Sequence, residues 1–154
     1  MLVWATGFRA TEFMAPIRVT GAGGRRLADE WRGGARAHLG VTVSGFPNFF
    51  MLYGPNTNLG HNSILVMIEA QAGWIVGAIR LLDARGLRRI DVRREAMDEY
   101  NRRLQADLAR SVWAGARSSW YKLDDGTITN NWPHGTWRYM RQMRDVNPDD
   151  YDMS

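Results

Sequence analysis

The sequence contains no cysteine among its 154 residues. This excludes disulfide bonds, thiolate nucleophiles and cysteine-based metal sites. The histidines, His38, His61 and His134, are far apart and lack the His-x-x-x-His or His-x-His spacing, so the sequence predicts no metal site. Blocks of one charge are missing too, because arginine pairs alternate with acids around a net charge of +4. That distribution indicates a solvated surface, and we expect no nucleic-acid partner.

Glycine motifs for phosphate binding are also missing. The sequence has no G-x-x-x-x-G-K-[ST] and no G-x-S-x-G. The nearest approach to G-x-G-x-x-G is at residues 21–26, where Arg26 replaces the third small residue and residues 27–31 are too short for a crossover helix. We interpret these residues as a turn.

Long hydrophobic runs are scarce. The longest, residues 64–79, contains Glu69 and Gln71 and is shorter than the roughly 20 apolar residues that a membrane helix needs. No charged-then-apolar signal segment opens the sequence. We therefore expect no membrane span and a cytoplasmic protein.

The most informative stretch is residues 45–71. The apolar run 49–53 ends at Gly54 and Pro55, which predicts a buried strand followed by a turn. After a loop of small and amide residues, Asn62 and Ser63 are good helix caps. The pattern predicts a helix from there to about residue 82, apolar on so wide a surface that we expect burial on most sides against a parallel sheet.

The flanking segments predict further elements. Residues 2–6 have the pattern of a buried strand, residues 89–92 of a short strand, and residues 94–113 of a surface helix with one apolar stripe. This stripe consists of Met97, Tyr100, Leu104, Leu108 and Val112. Beyond Gly115 the periodicity fades, with a turn at residues 124–126.

Four segments together resemble a known family. The run GFPNFFMLYGPNTNLGHNSI at residues 45–64, with residues 5–8, 119–121 and 131–133, resembles the C-terminal third of flavin-dependent monooxygenases of the Baeyer-Villiger class. The resemblance covers nearly the whole chain in order.

The resemblance implies an α/β fold, namely an incomplete part of the Rossmann-like FAD-binding domain of a flavoprotein with two dinucleotide domains. Residues 1–8 would end the NADPH domain and form a crossover hinge, although residues 5–8 taken alone favour a plain strand-to-turn junction. Residues 9–145 would be the C-terminal part of the FAD domain with its closing loop. We expect residues 146–154 to be a frayed tail.

The activity implied is oxygen insertion. In enzymes of the resembled family NADPH reduces FAD, O2 adds to flavin C4a, and the peroxyflavin inserts one oxygen into a ketone or oxidises a heteroatom. The family's stabilising arginine and nucleotide-binding glycines lie in regions that this sequence lacks, so the resemblance assigns it no catalytic residue.

The resemblance implies that the first part of the loop and the start of the helix lie along the cofactor, and that residues 58–61 face the substrate side. A reduced flavin gains negative charge at N1 and the C2 carbonyl, and the first turn of a helix carries roughly half a positive charge. The implied cofactor-binding residues are Gly54, Pro55, Asn56, Asn62, Ser63, Ile64 and Trp120. The implied substrate-side residues are Asn58, Leu59, Gly60 and His61.

Simpler interpretations stay open for each part of this site. Gly54 and Pro55 could form a simple turn, and Asn62 and Ser63 a helix cap without a ligand. His61 could hydrogen-bond a loop carbonyl. The aromatic residues around Trp120 could cover the core or belong to a mobile loop that folds over NADPH.

The missing fingerprints lead to a fragment hypothesis. Enzymes of the resembled family carry two G-x-G-x-x-G motifs, so we expect this chain to be a truncated product whose Met1 is an internal start and whose partners are the missing N-terminal domains. We expect it to bind FAD weakly or not at all, and to leave faces of its central helix bare. The alternative is a small non-enzymatic interaction domain, which predicts a compact chain without a large apolar patch.

Overall fold

A computed structural model describes residues 1–4, 11–60, 62–115 and 121–154. Its helices and strands in chain order are α1 (Leu27–Glu30), α2 (Ile64–Arg85), β1 (Ile90–Val92), α3 (Arg94–Leu108), α4 (Thr136–Gln142) and β2 (Tyr151–Met153). Short 3-10 turns occupy Ala22–Gly24, Val112–Gly115 and Pro148–Asp150. The chain is therefore a mixed helix and strand structure in which long loops cover the core.

The sheet within the described residues has two antiparallel strands, with Ile90 opposite Met153 and Val92 opposite Tyr151. β1 confirms the strand predicted at residues 89–92. No parallel sheet occurs in the described part of the chain, so the one expected beside α2 is not found there.

The expectation of a frayed tail at residues 146–154 was wrong. Pro148 starts a 3-10 turn that leads into β2, and the Tyr151 side chain is 3% exposed. Its hydroxyl lies 3.3 Å from Oγ1 of Thr42. A strand of three residues is too short to show an alternating pattern in the sequence. Its formation also depends on pairing with β1, which lies far away in the chain.

The predicted central helix is confirmed as α2. The Ser63 hydroxyl caps its start by accepting a hydrogen bond from Leu65 N at 3.3 Å, which satisfies one of the free amides of the first turn. Gly86 ends it in the left-handed conformation, at a φ of 66°.

The expected burial of α2 on most sides was wrong. One stripe is buried, made of Met67, Gln71, Trp74, Ala78 and Leu82. On other faces Leu65 is 64%, Val76 45% and Ile79 47% exposed. Because apolar residues occur all around this helix, the sequence could not indicate which stripe packs inward. The bare faces match the fragment hypothesis and disagree with the compact interaction domain.

α2 is also long and apolar enough to cross a membrane by length and composition alone. This corrects the estimate made from residues 64–79, since the helix runs to Arg85. A core helix of a soluble protein meets the same criteria, and the buried stripe of α2 packs against α4 and the loops.

The strand expected at residues 49–53 was wrong. Backbone φ angles of 58° at Asn48 and 57° at Tyr53 break the extended conformation at both sides. Met51 is buried, whereas Leu52 is 50% exposed. The segment is therefore an irregular loop. The sequence did not indicate this, because a left-handed backbone conformation at a non-glycine residue leaves no clear signal in a sequence.

The N-terminal strand prediction was wrong for residues 2–4, which have no regular structure. Their side chains are 71% to 80% exposed. The proposed hinge at residues 5–8 lies outside the described residues.

The second predicted helix is confirmed as α3, although it ends at Leu108 instead of near Trp113. Its buried residues Met97, Leu104 and Leu108 belong to the predicted stripe. Val112, also placed on that stripe, is 86% exposed. The Ser111 hydroxyl donates to the Leu108 carbonyl at 2.7 Å, which favours a turn there.

Two turn predictions are confirmed. Residues 22–24 form a 3-10 turn with Gly23 at a φ of 65°, and Gly126 turns the chain at a φ of 92°. α4 was not predicted, because its seven residues are too few to show a helical period.

Candidate functional site

The Gly/Asn loop that follows residue 53 packs backbone to backbone against another loop. A Cβ at Gly54 would lie 2.3 Å from the carbonyl oxygen of Gly40, and one at Gly40 would lie 2.1 Å from Cγ2 of Thr57. The Thr57 hydroxyl donates to the Gly54 carbonyl at 2.7 Å. Only glycine fits at these positions, because any side chain would meet a backbone or Cγ atom inside its contact distance.

Asn56 anchors this loop to the C-terminal part of the chain. It has a φ of 59°, is 3% exposed, and its Nδ2 donates to the carbonyls of Ile128 at 2.7 Å and Asn131 at 3.2 Å. Its backbone N donates to the Thr129 carbonyl at 2.8 Å. Asn tolerates the left-handed conformation better than most residues. Asn56 therefore allows the backbone of the loop to turn and also attaches the loop to residues 128–131.

Asn58 continues the attachment as a single parallel bridge with Asn131. Its backbone N donates to the Asn130 carbonyl at 2.9 Å. Its side chain accepts from the Tyr53 hydroxyl at 2.9 Å and donates to Oδ1 of Asn131 at 3.2 Å. The segment around Asn131 and Trp132 therefore holds this loop in place.

The start of α2 is the solvent-facing end of the loop. Asn62 and Ser63 are exposed, and Ile64 is half-buried. Asn62 donates through Nδ2 to Oγ1 of Thr136 at 3.0 Å and accepts from Ser63 N at 2.7 Å. The first turn of a helix of this length carries a partial positive charge that favours an anionic group nearby.

The substrate-side residues lie between these two ends. A Cβ at Gly60 would lie 2.6 Å from Cη2 of Trp113, so the chain passes directly over that indole. Leu59 is half-buried against the core. His61 and Trp120 lie outside the described residues, and their predicted roles stay predictions.

The loop thus has a buried part and an open part. Gly54, Pro55 and Asn56 are buried and contact the protein itself, whereas Gly60, Asn62 and Ser63 are exposed. Sequence reasoning grouped all of them as ligand-facing. In this chain the open part is exposed to solvent, and the buried part is held by contacts with the rest of the protein.

Among the cavities formed by the described residues, two lie elsewhere, and none of the predicted site residues that the structure describes lines either. The first, of about 950 Å³, is bordered by residues 11–20 and by α1. The second, of about 490 Å³, lies between α3, α4 and the residues that lead into β2. The residues of the second come from six separate parts of the chain, which is why no local motif indicated them.

Several of the described residues that line the second cavity carry a buried polar atom without a hydrogen-bond partner. The described residues include side-chain atoms that are buried without a hydrogen-bond partner at His38, Trp74, Trp132 and Gln142, all of which line it. Leaving a buried donor or acceptor unpaired costs about 1–3 kcal/mol.

Two ionisable side chains at the second cavity, Asp107 and His38, have lowered pKa values. Burial would raise the pKa of Asp107, but hydrogen bonds from Arg110 and His134 outweigh it and lower that pKa; His134 Nε2 lies 2.8 Å from Asp107 Oδ2. Burial lowers the pKa of His38, against the attraction of Asp150 at 3.6 Å.

Comparison with known proteins gives a consistent set of relatives, although no family model matches the chain. It is 52% identical over 151 residues to the FAD-binding monooxygenase ktnD of Aspergillus niger. It is 39% identical over 155 residues to a Baeyer-Villiger monooxygenase of Pseudomonas aeruginosa. The alignments cover 95% and 99% of this chain but 25% and 29% of those proteins. The chain thus spans less than a third of the length of the curated relatives it matches.

Comparison with solved structures also finds monooxygenases. An oxidized steroid monooxygenase bound to NADP superposes with a TM-score of 0.76 at 29% identity, over 88% of this chain and 26% of that one. The enzyme OTEMO in complex with FAD and NADP superposes with a TM-score of 0.78 at 26% identity, over 90% and 26%. The loop and helix arrangement of this chain is thus similar to one part of each.

Proposed function

We propose, from the premise that this chain is homologous to one part of the flavin-dependent monooxygenases of the Baeyer-Villiger type, that it is a fragment of an enzyme that uses FAD, NADPH and O2. The reaction is insertion of one oxygen atom into a ketone or oxidation of a heteroatom. The remaining domains of the same enzyme are its partners, and a cytoplasmic location stays a prediction.

The observation that carries this proposal is similarity along the whole chain. The Aspergillus niger and Pseudomonas aeruginosa relatives align over 95% and 99% of it, so the resemblance does not depend on one motif. The alternative, a small interaction domain, is disfavoured because Leu65 and Ile79 leave apolar surface on α2 at 64% and 47% exposure.

Within such an enzyme the residues at the start of α2 face the flavin. Asn62 and Ser63 are exposed and fixed by the cap and by Thr136, which fits an edge of a planar anionic group. FAD supplies the redox chemistry when bound. The partial positive charge at this helix start favours the reduced, more negative form of the ring.

The other predicted residues keep the roles that the resemblance implies. Gly54, Pro55 and Asn56 lie along the cofactor and also anchor the loop to the rest of the chain, and Asn58 to His61 face the substrate side. Trp120 lies on the segment that we expect to fold over NADPH. The finer assignment, a part of a Rossmann-like FAD domain, rests on the same resemblance, since the parallel strands would come from the remaining domains.

A chimera tests the proposal. Replacing the homologous quarter of the Aspergillus niger relative with this chain is expected to give a yellow protein that oxidises NADPH in the presence of O2, whereas the isolated chain is expected to bind FAD weakly or not at all. A chimera that is folded by circular dichroism yet colourless and inactive contradicts the proposal.

Two variants of the chimera test the role of the helix start. Ser63→Asp and Ser63→Asn both keep a good helix cap, but only the first adds a negative charge beside the proposed flavin edge. We expect a lower flavin reduction potential in Ser63→Asp than in Ser63→Asn. Equal potentials would contradict placement of Ser63 at the flavin.

A further inference from the structure

The backbone at Gly60, within the proposed substrate side, packs on the indole of Trp113. A Cβ at Gly60 would lie 2.6 Å from Cη2 and 2.9 Å from Cζ2 of that ring, so the outer, six-membered part of the indole contacts the chain. Leu59 and Gly60 make no hydrogen bond to another described residue. Packing on the indole therefore sets the position of Gly60.

Trp113 is itself held in place. It lies on the 3-10 turn Val112–Gly115 that follows α3. Its backbone N donates to Oγ of Ser111 at 3.3 Å. Its ring packs edge to face on the ring of Tyr121, with centroids 5.3 Å apart and an angle of 81° between the planes. The indole is therefore a fixed support for the loop, because its own neighbours restrict its movement.

α3 and the loop share one anchor. Nε2 of Gln105 on α3 donates to the Ile128 carbonyl at 2.9 Å, and Nδ2 of Asn56 donates to the same oxygen at 2.7 Å. The helix that leads to Trp113 and the loop that contains Gly60 are thus attached to the same point of the chain. The distance between them at Gly60 then depends on the size of side chain 113.

The contact lies between two attachments of the loop. Asn58 forms a parallel bridge with Asn131, and Nδ2 of Asn62 donates to Oγ1 of Thr136 at 3.0 Å. The stretch between Asn58 and Asn62 is thus fixed at both ends and supported by the indole between them. A smaller side chain in place of Trp113 would let this stretch move toward α3 and widen the space on its other side.

We propose that Trp113 is a positioning residue of the substrate side, and that the size of its indole limits the size of the ketone that the enzyme accepts. Trp113 acts through Gly60 and is assigned no contact with the substrate. This inference rests on the proposed function, because it requires residues 58–61 to face the substrate.

The contact itself is tested on the 154-residue chain. We expect the α-proton signals of Gly60 in a ¹H–¹³C spectrum to carry a ring-current shift. Trp113→Phe should change this shift, because phenylalanine lacks the outer ring atoms that meet Gly60. Trp137→Phe, at a residue that is 66% exposed, is the matched control and should leave the signals in place. Unchanged Gly60 signals in Trp113→Phe overturn the proposal.

The size limit is tested in the chimera with the Aspergillus niger relative, with cyclohexanone and the bulkier 4-phenylcyclohexanone as probes. The readout is the ratio of kcat/KM for 4-phenylcyclohexanone to kcat/KM for cyclohexanone. We expect Trp113→Phe to raise this ratio about tenfold, the lower end of the effect of one methylene in an apolar pocket. Trp137→Phe should leave it unchanged. Both values come from one sample, so a change that only lowers the amount of folded enzyme cannot alter their ratio.

Gly60→Ala provides a second test of the same contact. The added methyl group meets the indole in the parent chimera and has more room beside phenylalanine. We therefore expect Gly60→Ala to lower kcat/KM for both ketones in the parent chimera, and to lower them much less in the Trp113→Phe background. Equal losses in the two backgrounds overturn the proposal.

The outcomes distinguish this inference from the proposed function. A parent chimera that is colourless and inactive contradicts the proposed function, and the substrate side assigned to residues 58–61 falls with it. An active parent chimera whose ratio is unchanged or lower in Trp113→Phe overturns this inference alone. The spectrum of the isolated chain decides on the contact whichever result the chimera gives.

Discussion

Nδ2 of Asn56 donates a hydrogen bond of 2.7 Å to the carbonyl oxygen of Ile128, a residue 72 positions along the chain. The loop that we propose to face the flavin is thus held in place from its buried side. The buried residues of this loop are therefore the ones that fix its position in the chain.

Replacement of Asn56 should separate its two contributions. Asn56→Gly keeps the left-handed backbone easily accessible but loses both side-chain hydrogen bonds, whereas Asn56→Ala also strains a φ of 59°. We expect Asn56→Ala to lower the free energy of unfolding by about 2–4 kcal/mol, and Asn56→Gly by about 1 kcal/mol less than that. Urea unfolding measures both, and equal losses would contradict the role of the backbone strain.

Glycines on the loop and on α2 should respond in opposite directions to alanine. A Cβ at Gly54 would lie 2.3 Å from the Gly40 carbonyl oxygen, whereas one at Gly73 would meet nothing within 4 Å. We expect Gly54→Ala to destabilise by at least about 2 kcal/mol through overpacking. Gly73→Ala should stabilise by about 0.5–1 kcal/mol as a better helix former. Thermal unfolding of the pair checks both signs, and a tolerated Gly54→Ala would show that the two loops can separate.

Glu30 should make stability depend on pH. Hydrogen bonds from Arg94, at 2.5 and 3.0 Å, hold the pKa of this carboxyl below its usual value, despite partial burial. A lowered folded-state pKa contributes stability that is present above the unfolded value near 4.5 and is lost as the pH falls through the folded value.

The test is a comparison of Glu30→Gln with the parent chain. We expect a lower Tm for the variant at pH 7, equivalent to about 1–2 kcal/mol, and a difference that shrinks as the pH falls below 4.5. Asp29→Asn is the control, because the Asp29 side chain is 48% exposed and surface pairs contribute little. A difference independent of pH would contradict the ionic origin.

The bare face of α2 should limit solubility. Val76 is 45% and Ile79 47% exposed on this helix, so Val76→Lys and Ile79→Lys should reduce light scattering of the concentrated isolated chain. Glu69→Lys, which replaces one exposed charge by another, should leave it unchanged. In the chimera the same lysines should lower stability if the remaining domains cover this face, and unchanged stability would contradict that packing.

The sequence predicted those elements whose signal is local. α2, α3 and β1 followed from caps and periodicity, and the turn at Gly23 followed from glycine chemistry. The strand predicted at residues 49–53 does not form because Asn48 and Tyr53 adopt left-handed backbone conformations. A run of apolar residues does not reveal such a change in φ.

The contacts of the candidate site could not be predicted from the sequence. The resemblance proposes residues 54–64, but the burial of Asn56 depends on Ile128 and the burial of Gly54 depends on Gly40. Contacts of such sequence separation are set by tertiary packing, which composition and spacing do not encode. The same holds for the second cavity, whose unpaired atoms come from segments that no motif connects.

Tyr151 fits between Trp74 and His38, with ring centroids 5.6 and 5.8 Å away, and it lies 109 positions after Thr42, next to its hydroxyl. The strand β2 therefore completes a contact between residues that are far apart in the sequence. Contacts of such separation form slowly because a long loop has to close first, so the side of the core around Trp74 and His38 is expected to be the last to pack during refolding.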